Sequence, residues 1–278
     1  MEGISPEEKE GRLKGLLQGY GSVVVAFSGG VDSSYLLYVA HLVLKDKVLA
    51  VTAQSPLYPR HHLKRAKDFT RCYGIAHTVV TTNELAFPQF RSNPPSRCYH
   101  CKVGLFTRLK GIAAKKGHKV VVVGSNLDDT SDFRPGLQAA RELKVVSPLI
   151  DAGITKEDIR HLSRKAGLPT WNLPSSACLA SRFPYHTTIT EEKLEAVSQG
   201  EDFLRKLGFR QVRVRHHGEV ARIELLPSEI PRLLAPGVVE RVVKRLKSLG
   251  YKYITLDLQG YRTGSMNEVL DSSSREIP

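Results

Sequence analysis

The sequence predicts an α/β protein, a parallel sheet flanked by helices, joined to a smaller α+β domain toward the C-terminal end. Three observations carry this. Through residue 185, short apolar runs alternate with helical stretches, the pattern of strand–helix–strand units whose strands lie parallel. The first apolar run ends in a glycine-rich loop that opens straight into a helical pattern. After a Pro- and Ser-rich loop the alternation changes, and two neighbouring strands, a long helical stretch and a last strand follow.

Taken in order, Ser22–Phe27 reads as a short buried strand and Ser33–Leu44 as a helix. Val48–Ala53 reads as a strand, Arg60–Tyr73 as a helix, Ala76–Thr81 as a strand, Cys101–Lys116 as a helix and Val120–Gly124 as a strand. Ile154–Gly167 is again helical, opened by Thr155 with Asp158 three residues on, a capping box with Asp in place of Glu or Gln. The loop Leu168–Tyr185 carries Cys178. Beyond it come helix Glu191–Leu207, with Glu191 and Glu192 at its positive end, strands Gln211–His216 and Val220–Leu225, helix Ile230–Leu249 and strand Tyr253–Leu258. His216, His217 and Glu219 read as polar turn residues, and Cys72 as a structural residue of its helix. The expected division is residues 1–185, residues 186–266 and a frayed tail, 267–278.

The chain has 278 residues, 41% hydrophobic and 25% charged, which excludes a disordered or fibrous protein and allows a real core. The apolar runs fall far short of the ~20 residues of a membrane-spanning helix. The polar start Met1–Arg12 lacks a signal-peptide pattern, so a cytoplasmic protein without membrane contact is expected. Four cysteines in such a compartment point to metal or thiol chemistry rather than a disulfide framework. A net charge of +13 suits phosphate-bearing partners, whether nucleotides, phosphorylated metabolites or RNA.

The strongest local signal is Ser28-Gly29-Gly30-Val31-Asp32-Ser33-Ser34, between the first strand and its helix. Glycines let a backbone approach a phosphate, and hydroxyls and helix-start amides donate to its oxygens. Asp32 could hold a magnesium ion. The segment lacks the Gly-Lys-Ser/Thr ending of the nucleoside-triphosphatase loop and is not the dinucleotide loop Gly-x-Gly-x-x-Gly. Asp128 and Asp129 follow the strand Val120–Gly124 and are expected at the same end of the sheet.

This loop resembles the pyrophosphate loop, the PP-loop, of ATP pyrophosphatases, which adenylate a substrate and release pyrophosphate and which include GMP synthetases, NAD synthetases and tRNA-thiolating enzymes. The resemblance implies an adenine nucleotide alpha hydrolase-like domain. It sharpens through Arg97-Cys98-Tyr99-His100-Cys101-Lys102, Gly124-Ser125-Asn126-Leu127-Asp128-Asp129, Asp132-Phe133-Arg134-Pro135-Gly136, Ala177-Cys178-Leu179-Ala180-Ser181-Arg182-Phe183-Pro184-Tyr185 and Gly260-Tyr261-Arg262-Thr263-Gly264-Ser265-Met266-Asn267-Glu268. Together these resemble the LarE family, over roughly Ser22 to Glu268.

The resemblance implies an ATP-dependent sulfur transferase, with Mg²⁺, that converts the carboxylates of pyridinium-3,5-biscarboxylic acid mononucleotide to thiocarboxylates in nickel-pincer nucleotide synthesis, in a homo-oligomer. It implies that Ser28, Gly29, Gly30, Asp32, Ser33, Ser34, Asp128 and Asp129 serve ATP and that Asp32, Ser33 and Cys178 act in the reaction. LarE proteins come in two forms: one sacrifices the sulfur of the cysteine matching Cys178, and the other uses three cysteines to carry a cluster. Cys98, Cys101 and Cys178 match the second form, with a [4Fe–4S] cluster whose open iron takes sulfide from an outside source. Read without the resemblance, Cys98 and Cys101 with His100 also suit zinc, or are simply reduced thiols.

Arg213 and Arg215 stand two apart, on one face of a strand, and paired guanidinium groups suit a phosphate. The resemblance adds Arg262 and assigns these arginines to the substrate phosphate; the alternative is an exposed basic face paired with Glu224. The sequence departs from the family at His186, where glycine follows Phe-Pro-Tyr. A tRNA 2-thiolation enzyme is the rival reading, disfavoured by the absence of paired zinc-ribbon cysteines and of a recognisable RNA-binding module. A non-catalytic nucleotide sensor or iron–sulfur carrier is the third.

Overall fold

The computed structural model describes residues 4–131, 134–174, 176–262 and 264–270, and residue 60 by its backbone. The tail expected over residues 267–278 lies outside the described residues from 271 onward. In chain order the elements are α1 (Pro6–Tyr20), β1 (Val23–Ala26), α2 (Val31–Leu44), β2 (Val48–Gln54), α3 (Arg60–Cys72), β3 (Ala76–Thr81), α4 (Pro88–Arg91), α5 (Arg97–Lys116) and β4 (Val120–Val123). They continue with α6 (Pro135–Glu142), α7 (Pro148–Asp151), α8 (Lys156–Lys165), α9 (Glu191–Lys206), β5 (Arg213–His217), β6 (Val220–Glu224), α10 (Ile230–Leu233), α11 (Val238–Ser248) and β7 (Tyr253–Leu256).

The chain forms two compact units. The first comprises Met1–Ser55, Arg60–Thr82 and Arg97–Leu173, and the second Pro56–Pro59, Asn83–Ser96 and Pro174–Pro278.

In the first unit the sheet runs β3-β2-β1-β4, every pairing parallel. A strand flanked by parallel neighbours is covered on both faces, which is why β1 is a continuous apolar run with Val23, Val24 and Val25 fully buried. Val23 and Val25 join the core of Leu13 and Leu17 from α1, Leu36 from α2 and Ile159 from α8. Val24 joins the opposite core, with Phe106 and Leu109 of α5 and Ala139 of α6. Ala26 lies in register with Val51 and Val123, so the loops after β1 and β4 leave the sheet at the same edge. That carboxyl edge is where open α/β sheets bind ligands.

One helix stands outside the expected set, and another starts early. The polar segment at the beginning is α1, opened by Ser5 in a capping box with Glu8 and by Pro6 in the first turn. Helix α5 begins at Arg97 rather than Cys101, which puts Cys98 in its first turn and Cys101 about one turn further on.

The second unit holds a three-stranded sheet, β5-β6-β7, with β5 antiparallel and β7 parallel to β6. Leu204 of α9 and Val242 and Leu246 of α11 pack with Val214, Ala221 and Ile223 of the sheet. The helix expected over Ile230–Leu249 is two, α10 and α11, broken around Pro236 and Gly237, whose φ of +78° no regular helix contains. His216 and His217 lie in β5 rather than in a turn, and His216 is buried between Phe183 and Tyr251. Among the described residues no helix is long and apolar enough to cross a membrane.

Candidate active site

Two close backbone approaches shape the loop after β1. Gly29 has φ +70°, and a Cβ there would lie 3.2 Å from the amide nitrogen of Ala66 and 3.3 Å from the carbonyl of His62, both on α3. A Cβ on Gly124, just past β4, would lie 2.8 Å from the amide nitrogen of Ser33. The loop is therefore seated against α3 on one side and the end of β4 on the other, with no room for larger residues at either contact. Ser28 and Ser33 hydrogen-bond through their hydroxyls at 3.0 Å, and the Ser33 hydroxyl accepts from the Ser28 N–H at 3.3 Å. Gly30 opens α2 without a side-chain cap. The first-turn amides of a helix lack intrahelical acceptors, so α2 presents donors and its positive dipole end at the ligand edge of the sheet, a ready anion site. Ser34 is fully buried, and its hydroxyl has no hydrogen-bond partner among the described residues.

Carboxylates gather beside these donors. Asp32 lies in the first turn of α2. Asn126 orders the loop after β4: its side-chain oxygen accepts from the Asp128 N–H at 3.0 Å, and its own N–H donates to Asp129 at 3.1 Å. Asp129 pairs with Arg134 at 2.9 Å. Burial raises the Asp129 pKa above the ordinary carboxylate value; Arg134 and the Asn126 N–H pull it down, and the neighbouring Asp32 pushes it up. Lys156, at the start of α8, donates from Nζ to both oxygens of Asp32, at 2.7 and 2.6 Å, and from its backbone N–H to Asp128 at 2.8 Å. Asp32, Asp128 and Asp129 thus lie at the same edge, with Lys156 among them, and Asp32 is close enough to Asp129 to raise its pKa. They do not form a three-carboxylate metal group; magnesium takes only one or two carboxylates beside waters and substrate phosphates, a need that Asp32 with one neighbour meets.

Cys98 and Cys101, one turn apart on α5, belong to the first unit and are half-buried. Cys178 belongs to the second, also half-buried, and precedes the short helical turn Leu179–Arg182. None of the four cysteines is in a disulfide, and Cys72 at the end of α3 is exposed rather than packed. Among the described residues no three His, Cys, Asp or Glu side chains form a group that could hold a metal ion.

The backbone around Cys178 is pinned from below. Arg182, fully buried, donates to the carbonyls of Ala177 at 3.1 Å and Cys178 at 3.0 Å and to the Ser181 hydroxyl at 2.7 Å. Its remaining nitrogens grip the buried Glu201 of α9 at 2.7 and 3.1 Å. Burial alone would raise the Glu201 pKa; Arg182, Arg205 and Arg213 reverse this and hold it well below the carboxylate range. Arg215 makes a bidentate pair with buried Glu224, at 2.9 and 2.7 Å, and also reaches the Ser181 carbonyl and the Ser265 hydroxyl. Arg213 lies over the Tyr261 ring at 5.0 Å, its pKa drawn down to about 10 by burial and by nearby Arg182. Both strand arginines are buried, so the face carrying them is not the exposed basic face considered as an alternative, although its pairing with Glu224 holds. Arg262 is half-exposed and pairs with Glu268 at 3.2 Å and Asp257 at 3.4 Å.

A family model described as NAD synthase matches residues 12–92, which run from within α1 through α4 and include the loop after β1. An uncharacterized protein of Synechocystis sp. is 42% identical over 94% of this chain and 98% of its own length. The pyridinium-3,5-bisthiocarboxylic acid mononucleotide synthase of Lactiplantibacillus plantarum is 39% identical over 94% of this chain and 95% of its own length. The chain belongs to the LarE family. It is accordingly an enzyme of the PP-loop ATP pyrophosphatase group, with the parallel α/β sheet expected of it. An uncharacterized protein of Methanocaldococcus jannaschii is 29% identical over 87% of the chain.

Within this LarE chain, sequence reading missed Lys156, Arg182 and Glu201. Each is an ordinary charged residue in a helical or loop pattern, and its partner lies far along the chain: Lys156 and Asp32 are 124 residues apart. Only the Ser-Arg pair beside Cys178 hinted at Arg182. His186, which departs from the expected glycine, has φ +64° and donates its N–H to the Asn93 carbonyl at 2.9 Å. This left-handed backbone suits glycine and is strained for a histidine.

Proposed function

We propose that this enzyme adenylates the carboxylates of pyridinium-3,5-biscarboxylic acid mononucleotide with ATP and converts them to thiocarboxylates. The observation that carries this is the near full-length similarity to the synthase that is named for the bisthiocarboxylic product.

A carboxylate resists nucleophiles because attack would have to expel an oxide. Its oxygen instead attacks the α-phosphorus of ATP, the bond to pyrophosphate breaks, and an acyl adenylate results. Sulfur then attacks the acyl carbon, and the bond to AMP breaks. In this reading the uncapped start of α2, with Ser28, Gly29, Gly30, Ser33 and Ser34, binds the departing pyrophosphate. Asp32, with one of Asp128 and Asp129, would hold Mg²⁺, whose charge offsets that of the phosphates. Arg213, Arg215 and Arg262 are proposed for the phosphate of the mononucleotide. With Arg182, Arg205 and Arg222 beside them, six guanidinium groups face five carboxylates, Glu201, Asp202, Glu224, Asp257 and Glu268, a small cationic excess that favours an anion.

Cys98, Cys101 and Cys178 are the proposed sulfur-handling thiols. Three thiolates suit a [4Fe–4S] cluster, which when bound would supply an iron site for sulfide taken from an outside source. Counting iron and acid-labile sulfide in anaerobically purified protein, beside variants with each cysteine changed to Ala, tests this. Near four irons per chain, lost in each variant, is expected; iron-free protein whose Cys178 becomes dehydroalanine during turnover would make Cys178 a sacrificial donor instead. We expect a cytoplasmic homo-oligomer. The acceptor is tested by pyrophosphate release: stimulation by the pyridinium mononucleotide is expected, and stimulation by tRNA alone would favour the rival thiolation enzyme.

A further inference from the structure

We infer that Lys156 is a resident counter-cation that occupies Asp32 in the nucleotide-free enzyme and passes to the phosphates when a divalent cation takes that carboxylate. The inference rests on the reading of residues 28–34 as the ATP site.

Lys156 is the first residue of α8, where a cation opposes the helix dipole, and the rest of that turn is acidic, with Glu157 and Asp158. Helix stability does not explain it. Its contact does: both oxygens of Asp32 accept from Nζ, at 2.7 and 2.6 Å.

The backbone beneath is firmly held. Thr155 and Asp158 close a capping box, the Lys156 N–H donates to Asp128 at 2.8 Å, and the Leu127 N–H donates to the Ile154 carbonyl at 2.9 Å. The side chain itself is 31% exposed and that of Asp32 25%, so the ammonium can swing on its four-carbon stem while its anchor stays fixed.

An ammonium that uses both oxygens of a carboxylate and a magnesium ion that coordinates the same oxygens compete. If Mg²⁺ arrives with ATP, the ammonium loses Asp32 at the moment when new anionic oxygens appear beside it, because Asp32 lies in the first turn of α2, whose start is the anion site. Lysine suits that role as a compact point charge for phosphate. The exchange keeps the charge of Asp32 balanced in both states and keeps Lys156 from repelling the incoming metal.

The two halves of the inference predict effects of opposite sign. Mn²⁺, used as a probe for Mg²⁺, is titrated into nucleotide-free protein and followed by electron paramagnetic resonance; ATP binding in the presence of Mg²⁺ is followed by calorimetry. Lys156→Met is expected to tighten Mn²⁺ binding about threefold, the scale of a partly exposed ion pair, and to weaken ATP binding about tenfold, the scale of a charge-assisted contact. Lys156→Arg, which keeps the charge and the fold, is expected to leave Mn²⁺ binding near the wild-type value. Mn²⁺ binding that is unchanged or weaker in Lys156→Met, or ATP binding that is unchanged, overturns the inference. Wild-type protein that binds no ATP overturns the nucleotide reading instead, an outcome distinct from a wild type that binds ATP no better than its Met variant.

Discussion

Asp32 and Lys156, at the ligand edge of the first unit, keep 25% and 31% of their side chains in water, whereas Arg182 and Glu201, in the second unit, keep none. The two pairs have similar lengths, 2.6 and 2.7 Å, so the difference is one of surroundings. A partly wet pair contributes little to folding and can be rearranged cheaply, which suits the exchange of partners proposed for Asp32. A dry pair costs several kcal/mol to assemble and more to break, which suits groups that hold a backbone in place. In Arg182 the same guanidinium that neutralises Glu201 also grips the carbonyls flanking Cys178, so the buried charges fix the thiol's loop while the exposed ones stay available.

The contrast can be broken most directly at Glu201. Glu201→Ala leaves Arg182 buried without its carboxylate and should cost about 3–5 kcal/mol of stability in urea denaturation; a loss below about 1 kcal/mol would mean that the buried pair is not what orders this unit. Asp32→Asn should do the reverse, changing stability by less than about 1 kcal/mol while lowering pyrophosphate release about a hundredfold; a variant that unfolds, or that keeps full activity, would erase the distinction.

Two smaller effects sharpen it. Burial pulls the His216 pKa down from 6.5 to about 4. Between those values the unfolded chain binds a proton that the folded one does not, so stability is full above pH 6.5 and falls as the pH drops toward about 4. His216→Phe, packed between the same Phe183 and Tyr251, should show a shallower loss across that window than the wild type when melting temperatures are compared. His186→Gly relieves a left-handed backbone and should raise stability by up to about 1 kcal/mol, measured as a shift of the denaturation midpoint at constant slope.

How far the sequence could be read follows the same division. Strands β1, β2 and β4 were legible as largely continuous apolar runs, Val23–Ala26 and Val120–Val123 most clearly, and the partly exposed edge strand β3 through its β-branched residues. The loop Ser28–Ser34 was legible because its chemistry is local: glycines, hydroxyls and a carboxylate within seven consecutive residues. The break between α10 and α11 was written in Pro236-Gly237 and the start of α1 in Ser5-Pro6 with Glu8, signals present in the sequence but outweighed by the apolar periodicity of the first stretch and the polarity of the second. The ion pairs were not legible. Arg182 and Glu201 are 19 residues apart and Lys156 and Asp32 124, and no periodicity links residues that meet only through the fold.

The most direct test of the account is to count products together: AMP, pyrophosphate and sulfur incorporated, by mass spectrometry of the pyridinium mononucleotide after reaction with ATP, Mg²⁺ and sulfide. The account predicts one AMP and one pyrophosphate for each carboxylate oxygen replaced by sulfur, with all three lost together in Asp32→Asn. Sulfur incorporated without ATP cleavage, or ATP cleaved to ADP and phosphate, would contradict it.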